Sequence, residues 1–259
     1  MIIRWIKHWQ VKRVLKRYPI PHSFWHKLMI QDQLFAGLSA VEKARLRELT
    51  TLFVHQKNFR ASDDFNLTKP MVLTISAHAC LLILELGLDY YQGWQDIIVY
   101  PTAFIVERDE ADELGIVSHQ QAVLGGEAWL TGPVVLEWQS FKAESDELKP
   151  GRNLVLHEFA HKLDMLNGRA NGMPPLHKTM NRMHWTQAFS EAFEQLQYQV
   201  EHGHHPAINP YAATEPAEFF AVSTEYFFTA PNLLIHHFPA VYEQLSLFYQ
   251  QDPNARQSL

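Results

Sequence analysis

The most constraining feature of this sequence is the pattern His157-Glu158-Phe-Ala-His161, which lies inside the apolar run from Asn153 to Asp164. The spacing of apolar and polar residues in this run predicts an α-helix. Histidines four positions apart on a helix are separated by about 40° around the axis and about 6 Å along it, so both imidazoles can reach one metal ion. Asn153 can cap the first turn, and Asn167-Gly168 can end the helix in a left-handed turn.

The same pattern predicts hydrolytic metal chemistry. Zinc hydrolases hold the ion with two neutral imidazoles and a third protein ligand, and they leave one coordination position open to water. Glu158 follows the first histidine, where its carboxylate is too far from the metal to bind it but within reach of that water. We therefore expect Glu158 to act as a general base. The alternative is a core helix whose two histidines bond neighbouring polar groups.

Composition restricts the class of protein. With 259 residues, of which 47% are hydrophobic, the chain can bury one large core. Its net charge of -6 does not support direct nucleic-acid binding, which requires a basic surface. A single cysteine, Cys80, excludes an intramolecular disulfide framework and favours a reducing compartment. We therefore expect a globular, cytoplasmic protein.

The first 17 residues mix apolar side chains with lysines and arginines. They contain neither an unbroken apolar stretch nor a small-residue cleavage site, so we expect no secretory signal. Their amphipathic, cationic character permits contact with an acidic membrane surface or a partner. We favour a solvated helix that covers part of the core over a membrane role. Residues 1–33 are interpreted as a divergent N-terminal helical segment, and 34–259 as a single domain.

Two further segments predict helices packed on the core. Ser39 and Glu42 have the spacing of a capping box, and apolar residues follow them at helical spacing. The run from Pro70 to Leu86 is nearly all apolar, but it is shorter than the about 20 residues that span a bilayer, so we predict a buried helix. We interpret His78 in this run as a core residue with hydrogen-bond partners, not as a metal ligand.

Beyond Gly93 the pattern changes to short β-rich runs separated by glycines and prolines. These runs predict a small, mainly antiparallel sheet, which together with the helices makes an α+β fold. The acidic residues between 107 and 113 are interpreted as a solvated loop. An exposed strand beside the metal could bind a peptide as an added strand. Gly132–Trp138 is our candidate for that edge strand, and an internal strand is the alternative.

A third metal ligand is expected on another helix, C-terminal to the motif. Thr214 can cap a helix that has Pro216 in its first turn, and an aromatic-rich run follows. A carboxylate buried in such a run must be paired, neutralised or bound to metal. We select Glu218 as the third ligand, with Glu215 and Glu225 as the alternatives.

Other polar residues could serve the site from outside the ligand set. Glu225 lies two turns from Glu218, and Asp164 lies two turns from His157, so either carboxylate could orient a ligand histidine; both could equally be surface groups. The histidines at 202, 204 and 205 lie beside a glycine and a proline, and we expect them to be exposed and non-ligating.

Several long and unusual strings are distributed along the chain. They are Leu84-Glu-Leu-Gly-Leu-Asp89, Ile97-Ile-Val-Tyr-Pro101, Gly132-Pro-Val-Val-Leu-Glu-Trp138, His157-Glu-x-Ala-His-Lys-Leu-Asp164, Tyr211-Ala-Ala-x-x-Pro-Ala-Glu218, Glu225-Tyr-Phe-Phe228 and Phe248-Tyr-Gln-Gln-Asp-Pro253. In these strings the sequence, from about Leu34 onward, resembles the Mlc titration factor A family of cytoplasmic bacterial zinc peptidases. The segment from Tyr211 to Phe220 is also similar to the tyrosine and glutamate helix of anthrax toxin lethal factor, a gluzincin.

The resemblance implies a zincin-like metallopeptidase fold for 34–259, with a C-terminal helix that bears a glutamate ligand. It implies Zn2+ bound by His157, His161 and Glu218. Glu158 is then the general base, and Tyr211 is a hydrogen-bond donor to the developing oxyanion. The implied partners are a peptide or protein substrate, cleaved in the manner of an aminopeptidase, and a transcriptional repressor of sugar phosphotransferase genes. The alternative is a non-catalytic regulatory binding module with a vestigial or structural metal site.

Overall fold

The apolar segments of the chain form helices, and two helices, Trp138–Glu147 and Leu154–Asp164, pack against a small sheet. The structure, a computed structural model, describes residues 11–62, 65–102, 104–111, 117–124, 126–128, 132–147 and 149–257, with the backbone alone from 104 to 128. The helices are α1 (11–17), α2 (His22–Gln31), α3 (Ala40–Gln56), α4 (Lys69–Leu82), α5 (Trp138–Glu147), α6 (Leu154–Asp164), α7 (Arg182–Glu201), α8 (Pro216–Thr229), α9 (Pro231–His237), α10 (Pro239–Tyr249) and α11 (Pro253–Gln257). The strands are β1 (Asn58–Ala61), β2 (Asp96–Tyr100), β3 (Phe104–Ala111), β4 (Val117–Leu124), β5 (Gly126–Ala128) and β6 (Val134–Glu137).

The two helices predicted before the sheet are confirmed. At the start of α3, the Ser39 hydroxyl accepts a hydrogen bond from the Glu42 N–H at 3.2 Å, and the Glu42 carboxylate accepts one from the Ser39 N–H at 2.8 Å. This is the predicted capping box. Helix α4 is buried along most of its length. His78 within it is fully buried and hydrogen-bonded, as predicted for a core residue.

The main sheet has the strand order β1-β2-β6-β5. Strands β1, β2 and β6 are parallel to one another, and only β5 pairs antiparallel, with β6. Strands β3 and β4 form a separate antiparallel pair. The α+β prediction is therefore confirmed and is consistent with a zincin-like fold, whereas the prediction of a mainly antiparallel main sheet is wrong.

Strand direction depends on connections that short sequence patterns do not show. Parallel strands need a crossover connection, and α4 supplies it between β1 and β2. The sequence of β1, Asn-Phe-Arg-Ala, has a single large apolar residue and gave no strand signal. The β3–β4 pair is inserted between the parallel strands β2 and β6, so runs that follow one another in the sequence are not all neighbours in one sheet.

The candidate edge strand Gly132–Trp138 is also corrected. Its central residues form β6, which lies between β2 and β5 and is buried at every position. Among the described strands, β5 lies at this end of the sheet, next to α6. The solvated loop predicted for the acidic residues is wrong for 107–111, whose backbone belongs to strand β3. The rest of that segment, and the acidic side chains, lie outside what the structure describes.

The N-terminal segment contributes to the core. Ile20, Trp25 and Met29 are buried in the same apolar cluster as the rest of the chain. Residues 1–10, which carry part of the predicted cationic face, lie outside the described residues, and the division of the chain at residue 33 stays a prediction. Over the described ranges, no helix is long and apolar enough to cross a membrane.

Helix α6 packs against α4, α8, β5 and β6. One of its faces is apolar: the ring of Phe159 packs against those of Phe53, Tyr91 and Trp94 at centroid distances of 5.2 to 5.8 Å. The helix ends at Asp164, and a short 3-10 turn follows it to Asn167. Gly168 has a positive φ of 140°, but its ψ of -138° is not that of the predicted left-handed turn. Burial of one face therefore fixes the direction in which the opposite face presents its histidines.

Candidate metal centre

Helix α6 begins at a side-chain cap. The Asn153 side-chain oxygen accepts a hydrogen bond from the Leu156 N–H at 3.0 Å, which satisfies one of the amides that the first turn leaves unpaired. This is the cap predicted from the sequence. His157 and His161 follow on the second and third turns, on one face of the helix.

Helix α8 brings the third predicted ligand to the same place. It begins at Pro216 with Glu215 at the capping position, one residue later than predicted. Thr214 instead ends the preceding 3-10 turn, where its hydroxyl donates to the Tyr211 carbonyl at 2.7 Å. Glu218 lies in the first turn of α8 and faces α6.

Three donor atoms converge between the two helices. His157 Nε2 lies 3.2 Å from His161 Nε2 and 3.1 Å from Glu218 Oε2, and His161 Nε2 lies 3.4 Å from Glu218 Oε1. Tetrahedral ligands at ordinary Zn–N and Zn–O distances are separated by about 3.3 Å. Among the described residues, this is the group of histidine and carboxylate side chains that could hold a metal ion. Its donor types and spacing fit zinc.

The two alternative third ligands, Glu215 and Glu225, lie in different places relative to the donor group. Glu215 is exposed at the helix cap and is not part of the donor group. Glu225 lies two turns further along α8 and accepts a hydrogen bond from His157 Nδ1 at 2.9 Å. Its second oxygen accepts the backbone N–H of Asn153 at 2.5 Å. Glu225 therefore contacts the predicted ligand His157 at Nδ1, the ring nitrogen that does not face the donor group. This is the orienting arrangement considered from the sequence.

Glu158 is positioned beside the donor group with one oxygen unused. The residue is 3% exposed, and its Oε2 is buried without a hydrogen-bond partner among the described residues. Burial raises its pKa to about 7, and the nearby histidines only partly oppose this shift. A carboxyl group with a pKa near neutrality can both take up and release a proton at physiological pH.

The charges in the donor group stabilise one another. Burial disfavours the charged imidazole of His157, but hydrogen bonds to Glu218 and Glu225 outweigh it and raise the His157 pKa well above its usual value. The pKa of Glu218 is lowered, because the two histidines outweigh the effect of burial. Without metal, the group therefore holds a proton tightly, and a bound divalent cation would replace that positive charge.

Tyr211 lies at the rim of the site. It belongs to the 3-10 turn before α8, is 51% exposed, and has its ring centroid 6.2 Å from that of His157. Burial, together with the negative charges of Glu218 and Glu158, raises its pKa to about 12. Its hydroxyl group therefore stays protonated at neutral pH and can donate a hydrogen bond.

The remaining predicted residues lie apart from the donor group. Asp164 accepts the backbone N–H groups of Asn171 and Gly172 at 2.8 and 2.7 Å, so it holds a loop and not a ligand histidine. The histidines at 202, 204 and 205 are exposed, as predicted, and do not belong to the metal-binding group of the described residues.

Lys162 is a neighbour of the site that the sequence analysis missed. It is 2% exposed, and its Nζ donates a hydrogen bond to the Gly132 carbonyl at 2.9 Å. It also interacts electrostatically with Glu158. Burial lowers its pKa to about 8. Lys162 thus fastens the residues before β6 to α6. The available signal was its position four residues after Glu158, which places the two side chains on one helix face.

Comparison with known proteins shows which family the chain resembles. Residues 6–250 match the family described as "Glucose-regulated metallo-peptidase M90". Proteins named "Mlc titration factor A" from Salmonella typhimurium and Salmonella enteritidis are 39% identical to this chain over 228 residues, which covers 86% of this chain and 84% of each relative. The resemblance inferred from the sequence strings is confirmed. With a match over nearly its whole length, the chain belongs to the M90 family of glucose-regulated metallopeptidases.

Proposed function

We propose that this protein is a zinc-dependent peptidase whose metal ion is held by His157, His161 and Glu218. The observation that carries the proposal is the convergence of these three donor atoms at separations of 3.1 to 3.4 Å. Two imidazoles and one carboxylate are a ligand set of hydrolytic zinc sites. When bound there, the ion would polarise a peptide carbonyl and lower the pKa of a coordinated water.

Glu158 is the general base of the proposed reaction. It removes a proton from the attacking water and delivers that proton to the departing amine nitrogen. Three observations support this role: the residue follows a ligand histidine, its Oε2 has no described partner, and its pKa of about 7 suits proton transfer in both directions.

Tyr211 is the proposed hydrogen-bond donor to the carbonyl oxygen of the scissile bond. A donor that strengthens its bond as negative charge develops on this oxygen lowers the barrier. Its partly exposed position, beside both His157 and Glu218, allows the hydroxyl to reach a substrate that enters from solvent. Tyr211 is therefore assigned to oxyanion stabilisation and not to metal binding.

The proposed substrates are short peptides, cleaved in the manner of an aminopeptidase, as the family resemblance implies. Strand β5 offers a way to bind them, since it is the end strand of the described main sheet and packs beside α6. An extended peptide can pair with the free side of such a strand through its backbone. This would lay a substrate carbonyl along the helix that carries His157 and Glu158.

The decisive experiment measures zinc content together with hydrolysis of a peptide panel, with free and acetylated amino termini, before and after chelation. The wild-type protein should contain one zinc per chain and lose activity with the chelator. Glu158→Gln should keep the zinc and lose turnover, whereas the matched variant Glu215→Gln, which changes an exposed carboxylate nearby, should keep both. Full activity of Glu158→Gln would eliminate the proposed base.

The names of the relatives support a second role. They are titration factors for Mlc, and we propose that this protein likewise binds a transcriptional repressor of the Mlc type in the cytoplasm. Glu158→Gln, with its metal site intact, should capture such a repressor stoichiometrically in size-exclusion chromatography. Capture without any hydrolysis by the wild-type protein would favour a purely regulatory protein. Absence of a complex would reject the regulatory role.

A further inference from the structure

A buried chain of hydrogen bonds runs from the N-terminal segment to the cap of α6. His78 Nε2 lies 2.7 Å from Asp32 Oδ2, and His78 Nδ1 lies 3.0 Å from the side-chain nitrogen of Asn153. His78 is 0% exposed, Asp32 is 8% exposed and Asn153 is 1% exposed. They come from three separate parts of the chain: the end of α2, the middle of α4 and the start of α6.

The hydrogen bond of the Asn153 side-chain oxygen determines which atom is the donor in each bond of this series. The Asn153 side-chain oxygen accepts from the Leu156 N–H, so the side-chain NH2 group must face His78. His78 Nδ1 must then be an acceptor, which leaves the ring proton on Nε2, where it is donated to the Asp32 carboxylate. Asp32 thus selects the tautomer of His78, and His78 in turn fixes the orientation of the Asn153 amide.

Asn153 connects this chain of bonds to the metal centre. Its backbone N–H donates to Glu225 Oε2 at 2.5 Å, and Glu225 Oε1 accepts from His157 Nδ1 at 2.9 Å. Its backbone carbonyl accepts the N–H of His157 at 3.0 Å. A shift of Asn153 would therefore move both the ligand histidine and the carboxylate that orients it.

We propose that Asp32, His78 and Asn153 form a positioning relay that holds Glu225 and the first turn of α6, and so aims the His157 imidazole at the metal. The inference rests on the proposed zinc site, because its role is to orient a ligand of that site. Groups that hold a metal ligand in place commonly change metal affinity by about 10–100-fold when they are altered.

The surroundings of His78 explain why a hydrogen-bonded relay occurs in an apolar core. The imidazole is packed edge-on against the rings of Phe35 and Phe141, at centroid distances of 5.2 and 4.8 Å. Asp32 also accepts from the Ser145 hydroxyl at 3.1 Å and from the Leu34 N–H at 3.1 Å. Buried polar groups are costly unless they are satisfied, and here each ring nitrogen of His78 has a partner.

Two substitutions at position 78 separate the two ends of the relay. An Asn side chain places its amide oxygen near the position of Nδ1, so His78→Asn can keep the acceptor for Asn153 while losing the bond to Asp32. A Gln side chain reaches the position of Nε2, so His78→Gln keeps a donor for Asp32 and loses the bond to Asn153. Both variants replace the ring that packs against Phe35 and Phe141 with a carboxamide, which makes them a matched pair.

The measurement is zinc affinity by competition with a chromophoric chelator, along with the visible absorption of the Co2+-substituted protein and the unfolding free energy of the metal-free protein. His78→Gln should bind zinc about 10-fold or more weakly than wild type. His78→Asn should stay within about 3-fold, because an Asn side chain has no ring tautomer for Asp32 to select. Both should lose similar stability without metal. The Co2+ spectrum should shift in His78→Gln only.

Asn153→Ser supplies a second line of evidence, because serine keeps the helix cap but removes the amide that bonds His78. It should weaken zinc binding in the same way as His78→Gln. Equal zinc affinity of the two position-78 variants, or losses that simply follow stability, would overturn the relay while leaving the proposed peptidase intact. A wild-type protein that binds no zinc would instead overturn the proposed function, and the relay with it.

Discussion

The carboxylate of Glu225 accepts a hydrogen bond from His157 Nδ1 at 2.9 Å, across a sequence separation of 68 residues. A neutral histidine whose Nδ1 proton is donated to a carboxylate presents the lone pair of Nε2 on its opposite side. In this structure, that opposite side faces His161 and Glu218. The contact between α6 and α8 thus fixes both the tautomer and the direction of the first predicted ligand.

Glu225→Gln tests the importance of this contact. The amide oxygen can still accept a hydrogen bond from His157 Nδ1, but the negative charge is lost. The amide nitrogen cannot accept the backbone N–H of Asn153. We therefore expect zinc affinity to fall by about 10–100-fold. Isothermal titration with zinc measures the change. Glu215→Gln makes the same chemical change at the exposed cap of α8 and should leave the affinity unaltered. Equal affinities in the two variants would contradict the orienting role.

Removal of a ligand should have a different outcome from removal of the base. His157→Ala and Glu218→Ala each delete one of three donor atoms, so both should lose zinc and turnover together. Elemental analysis and peptide hydrolysis measure the two properties on the same samples. A Glu218→Ala protein that retains one zinc with wild-type affinity would show that the third ligand lies elsewhere.

Tyr211→Phe should reduce the rate without emptying the metal site. Loss of one oxyanion donor typically lowers kcat by about 100–1,000-fold, while KM and zinc content should change little because the ring is retained. Steady-state kinetics on a peptide substrate separate kcat from KM. An effect confined to KM would assign Tyr211 to substrate binding instead.

The metal-free protein should lose stability as the pH rises. Burial raises the pKa of Glu158 from 4.5 to about 7, so the folded state holds this proton more tightly than the unfolded state between those values. His157, whose pKa is raised above 6.5, acts in the same direction. From pH 5 to pH 8, the unfolding free energy should fall by roughly 2 kcal/mol more in wild type than in Glu158→Gln. Urea titrations with a chelator present measure this difference, and an identical pH dependence in the two proteins would contradict it.

Gly151 offers a test of the packing before α6. It has a φ of 64°, and a Cβ at this position would overlap the ring of Tyr226 on α8. Gly203 has a φ of 69° with open space around it, so Gly203→Ala carries only the backbone strain, about 1 kcal/mol. Gly151→Ala should cost about 1–3 kcal/mol more, through overpacking. Equal losses in urea unfolding would show that the ring of Tyr226 moves aside freely.

Local patterns in the sequence were sufficient for the elements that depend on neighbouring residues. The cap at Asn153, the capping box at Ser39 and the pair of histidines on α6 all involve residues within four positions of one another, and each has the predicted geometry. Glu218 could be selected because a charged residue stood in an aromatic run, although the sequence did not separate it from its neighbours Glu215 and Glu225. Family resemblance, and not local pattern, pointed to Tyr211.

Features that depend on distant pairings were not predicted. Strand β2 is parallel to β1 and to β6, and neither direction can be obtained from the composition of five-residue runs. His78 was correctly placed in the core, but its partners Asp32 and Asn153 lie 46 and 75 residues away along the chain. No periodicity connects such positions, so their contact becomes visible only when the helices are packed.

The position of Asp32 has a practical consequence for dissecting this protein. A shortened chain that starts at residue 34 would leave the His78 ring proton buried with no acceptor, although every residue of the metal centre itself would still be present. Such a fragment could retain its helices and yet bind zinc poorly. The inactivity of such a fragment would then be due to the missing Asp32 carboxylate. It would not show that the metal ligands had been wrongly chosen.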